Sequence, residues 1–328
     1  MKPVLIHTHF HKRKTGVTRS VENVLPFFED HFETYVYGTS IDGNHITTKK
    51  LKAFLFSDTK TVVHCHRNNE IMKMLWYRFL GAKFLLVATR HAESKPSVLT
   101  LFLLKKADKV VTLIKSMSAN LGIKNTMIGH GVKVDEFTQD ATQKITGVTQ
   151  ENIILNAGRA RKAKGQKTLL EAAKILKNHK DWALVIVGKV DKPEFLDELK
   201  ALAKKYKIEK QVYFKPETRA IISYYQAAKI AVAPSFSEGF SLVTAEAMSC
   251  ACTIVATENV GVHSELITNH KNGYLFEAGN SEQLETILSK LITNDFPELG
   301  KQARATILKN WSAKKEAENL MQLYKSTI

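Results

Sequence analysis

Two acidic side chains eight positions apart, Glu238 and Glu246, lie in the segment Pro234-Ser235-Phe236-Ser237-Glu238-Gly239-Phe240-Ser241-Leu242-Val243-Thr244-Ala245-Glu246-Ala247-Met248. A strand ends near Pro234, a loop of small residues carries Glu238, and Ser241 is placed to cap a following helix. Glu246 then falls early in that helix. A loop carboxylate and a helix carboxylate can thus reach one pocket, with free helix N–H groups between them. Such N–H groups suit a phosphate, and carboxylates suit sugar hydroxyls. The helix macrodipole alone also favours acids near a helix start, so two glutamates by themselves leave both readings open.

A second segment concentrates positive charge between glycines: Gly158-Arg159-Ala160-Arg161-Lys162-Ala163-Lys164-Gly165, after one apolar run and before a helical stretch. It is not a P-loop, because the glycines are too far apart and Gln166, not lysine, follows the second one. Arg161 and Lys162 read as solvated surface charge. In the first half, Gly16 stands in Thr15-Gly16-Val17, either a strand-to-helix turn or a place where backbone approaches a ligand. His64-Cys65-His66 and Thr89-Arg90-His91-Ala92-Glu93 each end an apolar run, where a lone histidine is otherwise only polar. His7, His9 and His11 alternate and would share one face of a strand, but without a nearby carboxylate or cysteine no metal site is assigned. Cys250 and Cys252 read as core.

The elements that must carry these residues are short apolar runs alternating with stretches of helical periodicity. Strands are expected at Val4–His7, Tyr35–Tyr37, Thr61–His66, Lys83–Thr89, Lys109–Leu113 and Thr126–Ile128. After a polar segment from Lys133 to Glu151, read as an interdomain linker, they resume at Asn152–Asn156, Ala183–Val187, Gln211–Phe214, Lys229–Ala233, Thr253–Ala256 and Tyr274–Phe276. This alternation implies βαβ units and parallel sheets. The expected organisation is α/β, with doubly wound parallel-sheet domains at 1–145 and 146–311. A terminal helix at about 312–328 would pack back on the first. Ligands would sit beyond the carboxyl ends of the strands, in the cleft where the two domains face each other.

A length of 328 residues suits two domains, and 24% charged with 44% hydrophobic residues is ordinary globular composition. Three cysteines, Cys65, Cys250 and Cys252, exclude a disulfide framework. No apolar run reaches the roughly 20 residues of a membrane span, and the amino-terminal one is too short for a signal peptide. A cytoplasmic protein is therefore expected. Residues 1–150 hold 22 basic against 12 acidic side chains, and the whole chain is +16. Such a field draws anionic partners of any class. A nucleic-acid-binding protein without catalysis is one such reading, but no nucleic-acid-binding module or aromatic–basic interleaving is present, and no nucleic-acid partner is assigned. Met72–Leu80 and Ser97–Lys106 mix aromatic and apolar residues with basic ones. They suit an interfacial helix on an anionic leaflet or an ordinary core helix, the simpler reading.

The segment around the two glutamates resembles the Glu-x7-Glu signature of retaining glycosyltransferases of family four. The match covers Pro234, Ser235, Glu238, Gly239, Phe240, Leu242, Glu246, Ala247, Met248 and Cys250. It departs at Ser241 and Ala251, where glycine is usual, and at Thr253, where proline is frequent. Gly158, Arg159, Lys164 and Gly165 match the family's G-R-x4-K-G passage, and the register continues through Gly261–Ile267 and Asn272–Phe276. His130-Gly131-Val132, with Asp135 and Phe137, matches H-G-V-D-x-x-x-F in part, with Lys133 in place of the first Asp.

The resemblance implies a GT-B fold of two Rossmann-like domains, and the activity of a retaining hexosyltransferase working without a metal or other cofactor. Its donor would be a GDP- or UDP-linked sugar. Arg159 and Lys164 would hold the diphosphate and neutralise the leaving group, Glu246 the ribose, and Glu238 the sugar ring. The amides of Gly239, Phe240 and Ser241 would lie near the phosphates. The first domain would hold the acceptor, with Gly16 and His91 lining the cleft. Relatives often have a histidine at the His91 site that contacts the donor sugar, and His91 is counted among the catalytic residues beside Glu238, Arg159 and Lys164. The runs Lys14–Ser20 and Thr89–Lys95 are similar to bacterial lipopolysaccharide-core mannosyltransferases. They imply an anionic, phosphate-bearing glycan or glycolipid acceptor, which a basic first domain would suit. That basic domain is also expected to dock on the cytoplasmic face of the inner membrane. Capsule, O-antigen and lipid-linked sugars are the alternative acceptors.

Overall fold

The computed structural model describes residues 2–326. The terminal-helix expectation of 312–328 runs on to Thr327 and Ile328, which lie outside the described residues, as does Met1. Among the described residues twelve strands form two six-stranded sheets, and every pairing within them is parallel.

The first sheet holds β1 (Val4–His9), β2 (Glu33–Gly38), β3 (Thr61–Cys65), β4 (Leu85–Arg90), β5 (Lys109–Thr112) and β6 (Thr126–Met127), in the order β2-β1-β3-β4-β5-β6. The second holds β7 (Asn152–Ala157), β8 (Trp182–Val187), β9 (Val212–Lys215), β10 (Ile230–Ala233), β11 (Thr253–Thr257) and β12 (Tyr274–Phe276), in the order β12-β11-β10-β7-β8-β9. Helices between successive strands bury both sheet faces, so β1, β3, β8, β10 and β11 are buried along their whole length. Doubly covered parallel strands read as continuous apolar runs, which is why these five were expected close to where they lie; β6, an edge strand, is exposed at both residues.

Each sheet reverses its winding once. In the first, the chain leaves β1 for β2 on one side and returns for β3 on the other. In the second, β7 is followed by β8 and β9 on one side, then by β10 to β12 on the other. The two reversal points, β1/β3 and β7/β10, are where loops diverge and leave a crevice at the carboxyl ends of the strands.

By contacts the chain divides into one unit of residues up to Lys133 plus those from Trp311 onward, and a second of Val134–Asn310. The division precedes the expected 145/146 boundary because the polar segment is anchored on the second unit. Phe137 packs on Tyr225, its carbonyl accepts from Ser249 Oγ at 2.7 Å, and Ile145 is buried. The last helix, Ala313–Lys325, belongs to the first unit, where Ala317, Leu320, Leu323 and Tyr324 join Leu5, Phe28 and Phe32 in one core cluster. Gly131 lets the chain pass there, since a Cβ on it would lie 2.3 Å from the Ser312 carbonyl oxygen.

Pro26 ends the α-helix Gly16–Val24 and begins a 3-10 turn, Leu25–Phe28, because it lacks the N–H an α-turn requires. No helix among the described residues is long and apolar enough to cross a membrane.

Candidate active site

At the β7/β10 reversal two loops lock together. The β7 loop runs Gly158–Gly165 through a 3-10 turn, Lys162–Lys164. The β10 loop runs from Pro234 to Ser241 and enters the helix Leu242–Ser249. Phe236 N–H donates to the Ala163 carbonyl at 2.9 Å. Gly165 has φ +69°, and a Cβ there would stand 1.8 Å from the Pro234 carbonyl oxygen, so any side chain would push the loops apart.

The interlock brings Lys164 and Glu238 together: Nζ donates to Oε1 at 2.5 Å, with only 17% and 9% of the two side chains exposed. Ser235 Oγ donates to the same oxygen at 2.7 Å. From the β11 side Gly261 closes on the glutamate, since a Cβ there would fall 2.6 Å from that of Glu238. A cation and an anion 74 residues apart in sequence are thus held together where the two loops meet.

Arg159 lies on the same loop but its guanidinium turns to the loop after β8, where Nε and Nη2 donate to Asp191 Oδ1 at 2.8 and 2.6 Å. Its carbonyl accepts from the buried Gln166 at 3.1 Å, which ties the loop to the helix Gln166–Ala172. Arg161 and Lys162 are exposed, as expected of surface charge.

Glu246 is buried one turn into its helix and accepts from the Tyr225 hydroxyl at 3.1 Å. Gly239 is half-buried and Phe240 is buried, and Val262 N–H reaches the Phe240 carbonyl at 3.3 Å. Ser241 is in the left-handed region at φ +80° and Ala251 at +62°, the two positions where the resembled family carries glycine. Both departures thus fall on left-handed backbone, where a side chain other than glycine's is strained. Ser241 is compensated, because its hydroxyl joins Thr244 Oγ1 at 2.9 Å and His263 Nε2 at 3.2 Å. His263 is buried, donates from Nδ1 to the Thr257 carbonyl at 2.9 Å, and is held neutral by burial. Asp191, Tyr225, Ser235 and His263 are site-shaping residues that the sequence reading did not select. Ser235 and His263 carried a signal, lying in the matched Pro234–Cys250 and Gly261–Ile267 passages, whereas Asp191 and Tyr225 carried none.

In the first unit, Gly16 opens its helix after Thr15, which makes a capping box with Thr18. Gly16 has no atom within 4 Å of where a Cβ would be, and its φ is not left-handed. The turn itself does not demand glycine there. His91, just past β4, is half-buried with both ring nitrogens engaged: Nε2 lies 3.1 Å from His66 Nδ1, and Nδ1 lies 3.3 Å from His130 Nε2. His7, His9 and His11 do not form a common face. β1 ends at His9, which is fixed by the Thr39 carbonyl and Thr18. His7 instead groups with His64 and His66, ring nitrogens within 4.8 Å of one another.

Each of the two segments read as a core or interfacial helix buries some of its apolar side chains and exposes others. In Asn68–Phe79, Met74 and Tyr77 are buried while Trp76 and Phe79 are exposed; in Val98–Lys105, Leu103 and Leu104 are buried while Val98, Leu99 and Phe102 are exposed.

Two doubly wound units, each a six-stranded parallel sheet, have the architecture of the GT-B fold. Residues 137–310, more than half of the chain, match the family model for "Glycosyl transferases group 1", and the chain belongs to that family. It is similar to the lipopolysaccharide core biosynthesis mannosyltransferase LpcC of Rhizobium leguminosarum bv. viciae, 27% identical over 99% of this chain and 96% of that one. It also resembles LpsB, of the same description, from Rhizobium meliloti (strain 1021), 28% identical over 81% and 80%. Among solved structures, Anabaena Alr3699/HepE in complex with UDP superposes with a TM-score of 0.84 at 16% identity, over 99% of this chain and 100% of that one.

Proposed function

We propose that the protein transfers a hexose from a GDP- or UDP-linked donor to an anionic envelope glycan, the lipopolysaccharide core being the first choice of acceptor. The observation that carries this reading is the Lys164–Glu238 pair at the β7/β10 reversal, beside a helix start that suits phosphate. The names of the full-length relatives support the acceptor class.

In this reading Lys164 and Arg159 neutralise the nucleoside diphosphate as it leaves, and the Gly239–Ser241 amides receive its phosphates. Glu238 holds hydroxyls of the sugar ring and Glu246 those of the ribose. Arg159 exchanges its bonds to Asp191 for the diphosphate, likewise a bidentate acceptor of guanidinium. Gly16 leaves backbone open to the acceptor, and His91 lines the same side. The acceptor hydroxyl attacks from the leaving-group face, a phosphate oxygen takes its proton, and configuration is retained. The work of a metal at the diphosphate falls to the two cations, so no metal or other cofactor is required.

The protein would act at the cytoplasmic face of the inner membrane. The two helices with exposed apolar faces pack on each other, Trp76 stacks on Phe79, and Lys105 and Lys106 are exposed beside them. That composition suits shallow insertion among anionic headgroups. The experiment is transfer to purified core oligosaccharide from each nucleotide sugar, with the product's anomeric configuration read by NMR. An inverted product would refute retention, and no product from any donor would refute the assignment.

A further inference from the structure

Four imidazoles in the first unit form an unbroken series. His7 Nδ1 lies 3.2 Å from His66 Nε2, His66 Nδ1 lies 3.1 Å from His91 Nε2, and His91 Nδ1 lies 3.3 Å from His130 Nε2. The series ends where His130 Nδ1 meets Glu316 Oε1 at 2.8 Å. Glu316 comes from the last helix, 186 residues away, and its other oxygen accepts from Gly131 N–H at 2.7 Å. A neutral imidazole carries one N–H and one lone pair, so each bond fixes the next. An ionised Glu316 only accepts, so a neutral His130 donates from Nδ1 and accepts at Nε2. His91 must then donate from Nδ1, His66 likewise, and His7 likewise. The reverse order would aim a His130 lone pair at the carboxylate.

The geometry points to Glu316 as the positioning residue that sets the tautomer of His91 through His130, making His91 Nε2 an obligate hydrogen-bond acceptor. Its bearing on sugar recognition rests on the reading that His91 lines the acceptor side. A hydroxyl that replaces His66 at His91 Nε2 must donate its proton, so the site selects hydroxyl donors at that point. Burial holds His7, His66 and His91 neutral, as the series requires. At the far end, His7 Nε2 is buried without a protein partner and borders a cavity of about 10 Å³, room for one water. A metal shared by His7, His64 and His66 is disfavoured because both nitrogens of His64 are already engaged at 2.6 Å, by Tyr324 and Thr89.

The test is long-range proton–nitrogen NMR on the full chain with nitrogen-15-labelled histidine. Wild-type protein is expected to show His66, His91 and His130 as Nδ1–H tautomers. Glu316→Gln can place its oxygen on Gly131 N–H and its amide on His130 Nδ1, so His91 should convert to Nε2–H, whereas Glu316→Asp should restore the wild-type pattern. An Nε2–H tautomer of His91 in wild-type protein overturns the inference even if Glu316→Gln fails to fold. So does a folded Glu316→Gln protein with an unchanged His91, or metal-shifted nitrogens on His7, His64 and His66. In turnover, Glu316→Gln should raise the acceptor KM at least tenfold with the donor KM unchanged. Failure of that arm alone, with the tautomers as expected, would reject His91 as an acceptor-site residue and leave its positioning intact.

Discussion

The Tyr324 hydroxyl lies 2.6 Å from Nδ1 of His64, joining the last helix to a central strand of the first sheet across 260 residues of sequence. Both groups are buried, and Tyr324 also packs against Phe28 and Phe32. Tyr324→Phe keeps the ring and strands one nitrogen of His64. Leaving a buried polar atom unsatisfied costs about 1–3 kcal/mol, so Tm by calorimetry should fall by several degrees. Nucleotide affinity should not change, because the substitution lies in the first unit. Equal Tm values would mean that the bond contributes nothing.

Lys164→Ala should lower kcat about 10²–10³-fold at saturating donor, roughly 2.7–4 kcal/mol of barrier, as for loss of one preorganised group at a developing charge. It also leaves the Glu238 carboxylate, 9% exposed, without its cation. Steady-state rates at saturating nucleotide sugar check this, and an unchanged kcat would remove Lys164 from the chemistry.

Ala251→Gly and Ser241→Gly should part company although both relieve a left-handed backbone. A non-glycine residue there costs about 1–2 kcal/mol, and Ala251→Gly should raise the unfolding free energy by about 1 kcal/mol. Ser241→Gly gains the same relief but loses the bonds to Thr244 and His263, so its net stability should be close to unchanged or lower. Urea titration of the two proteins is the measurement. A stabilised Ser241→Gly would show that those bonds are dispensable.

The protein should lose stability in mild acid. Burial lowers His7 to about 3 and holds His64, His66, His91 and His263 below the usual histidine value. The unfolded chain takes up protons on these rings near pH 6.5 while the folded state does not. Stability is therefore full above about pH 6.5 and falls as pH drops below it toward 3, by up to about 1.4 kcal/mol per pH unit for each ring. Tm should decline steeply between pH 7 and 5, and a flat profile would contradict neutral burial of the cluster.

Trp76→Ala with Phe79→Ala should reduce sedimentation with anionic vesicles severalfold at low salt and leave soluble-donor hydrolysis unchanged. These side chains are 59% and 79% exposed, so the fold does not depend on them. Equal sedimentation would reject this face as the membrane contact.

What was legible in the sequence divides along a physical line. Strands buried on both faces announce themselves as apolar runs such as Trp182–Val187, and the Pro234–Cys250 passage carries its chemistry in one stretch. The histidine series was not legible, because His7, His66, His91, His130 and Glu316 come from five separate segments and meet only through tertiary packing. The polar stretch after Lys133 read as a free linker because two apolar anchors, Phe137 and Ile145, bear its attachment while the rest is solvent-facing. The left-handed φ of Ser241 is not encoded in the serine itself; its one mark is the glycine usual at that position in the resembled family.

Titration calorimetry of the wild-type and Lys164→Ala proteins with UDP, GDP and ADP addresses the central claim most directly. The account predicts that UDP or GDP binds the wild-type chain at one site, and that Lys164→Ala weakens that binding at least tenfold. Absence of binding by all three nucleotides, or equal affinity in the two proteins, would contradict it.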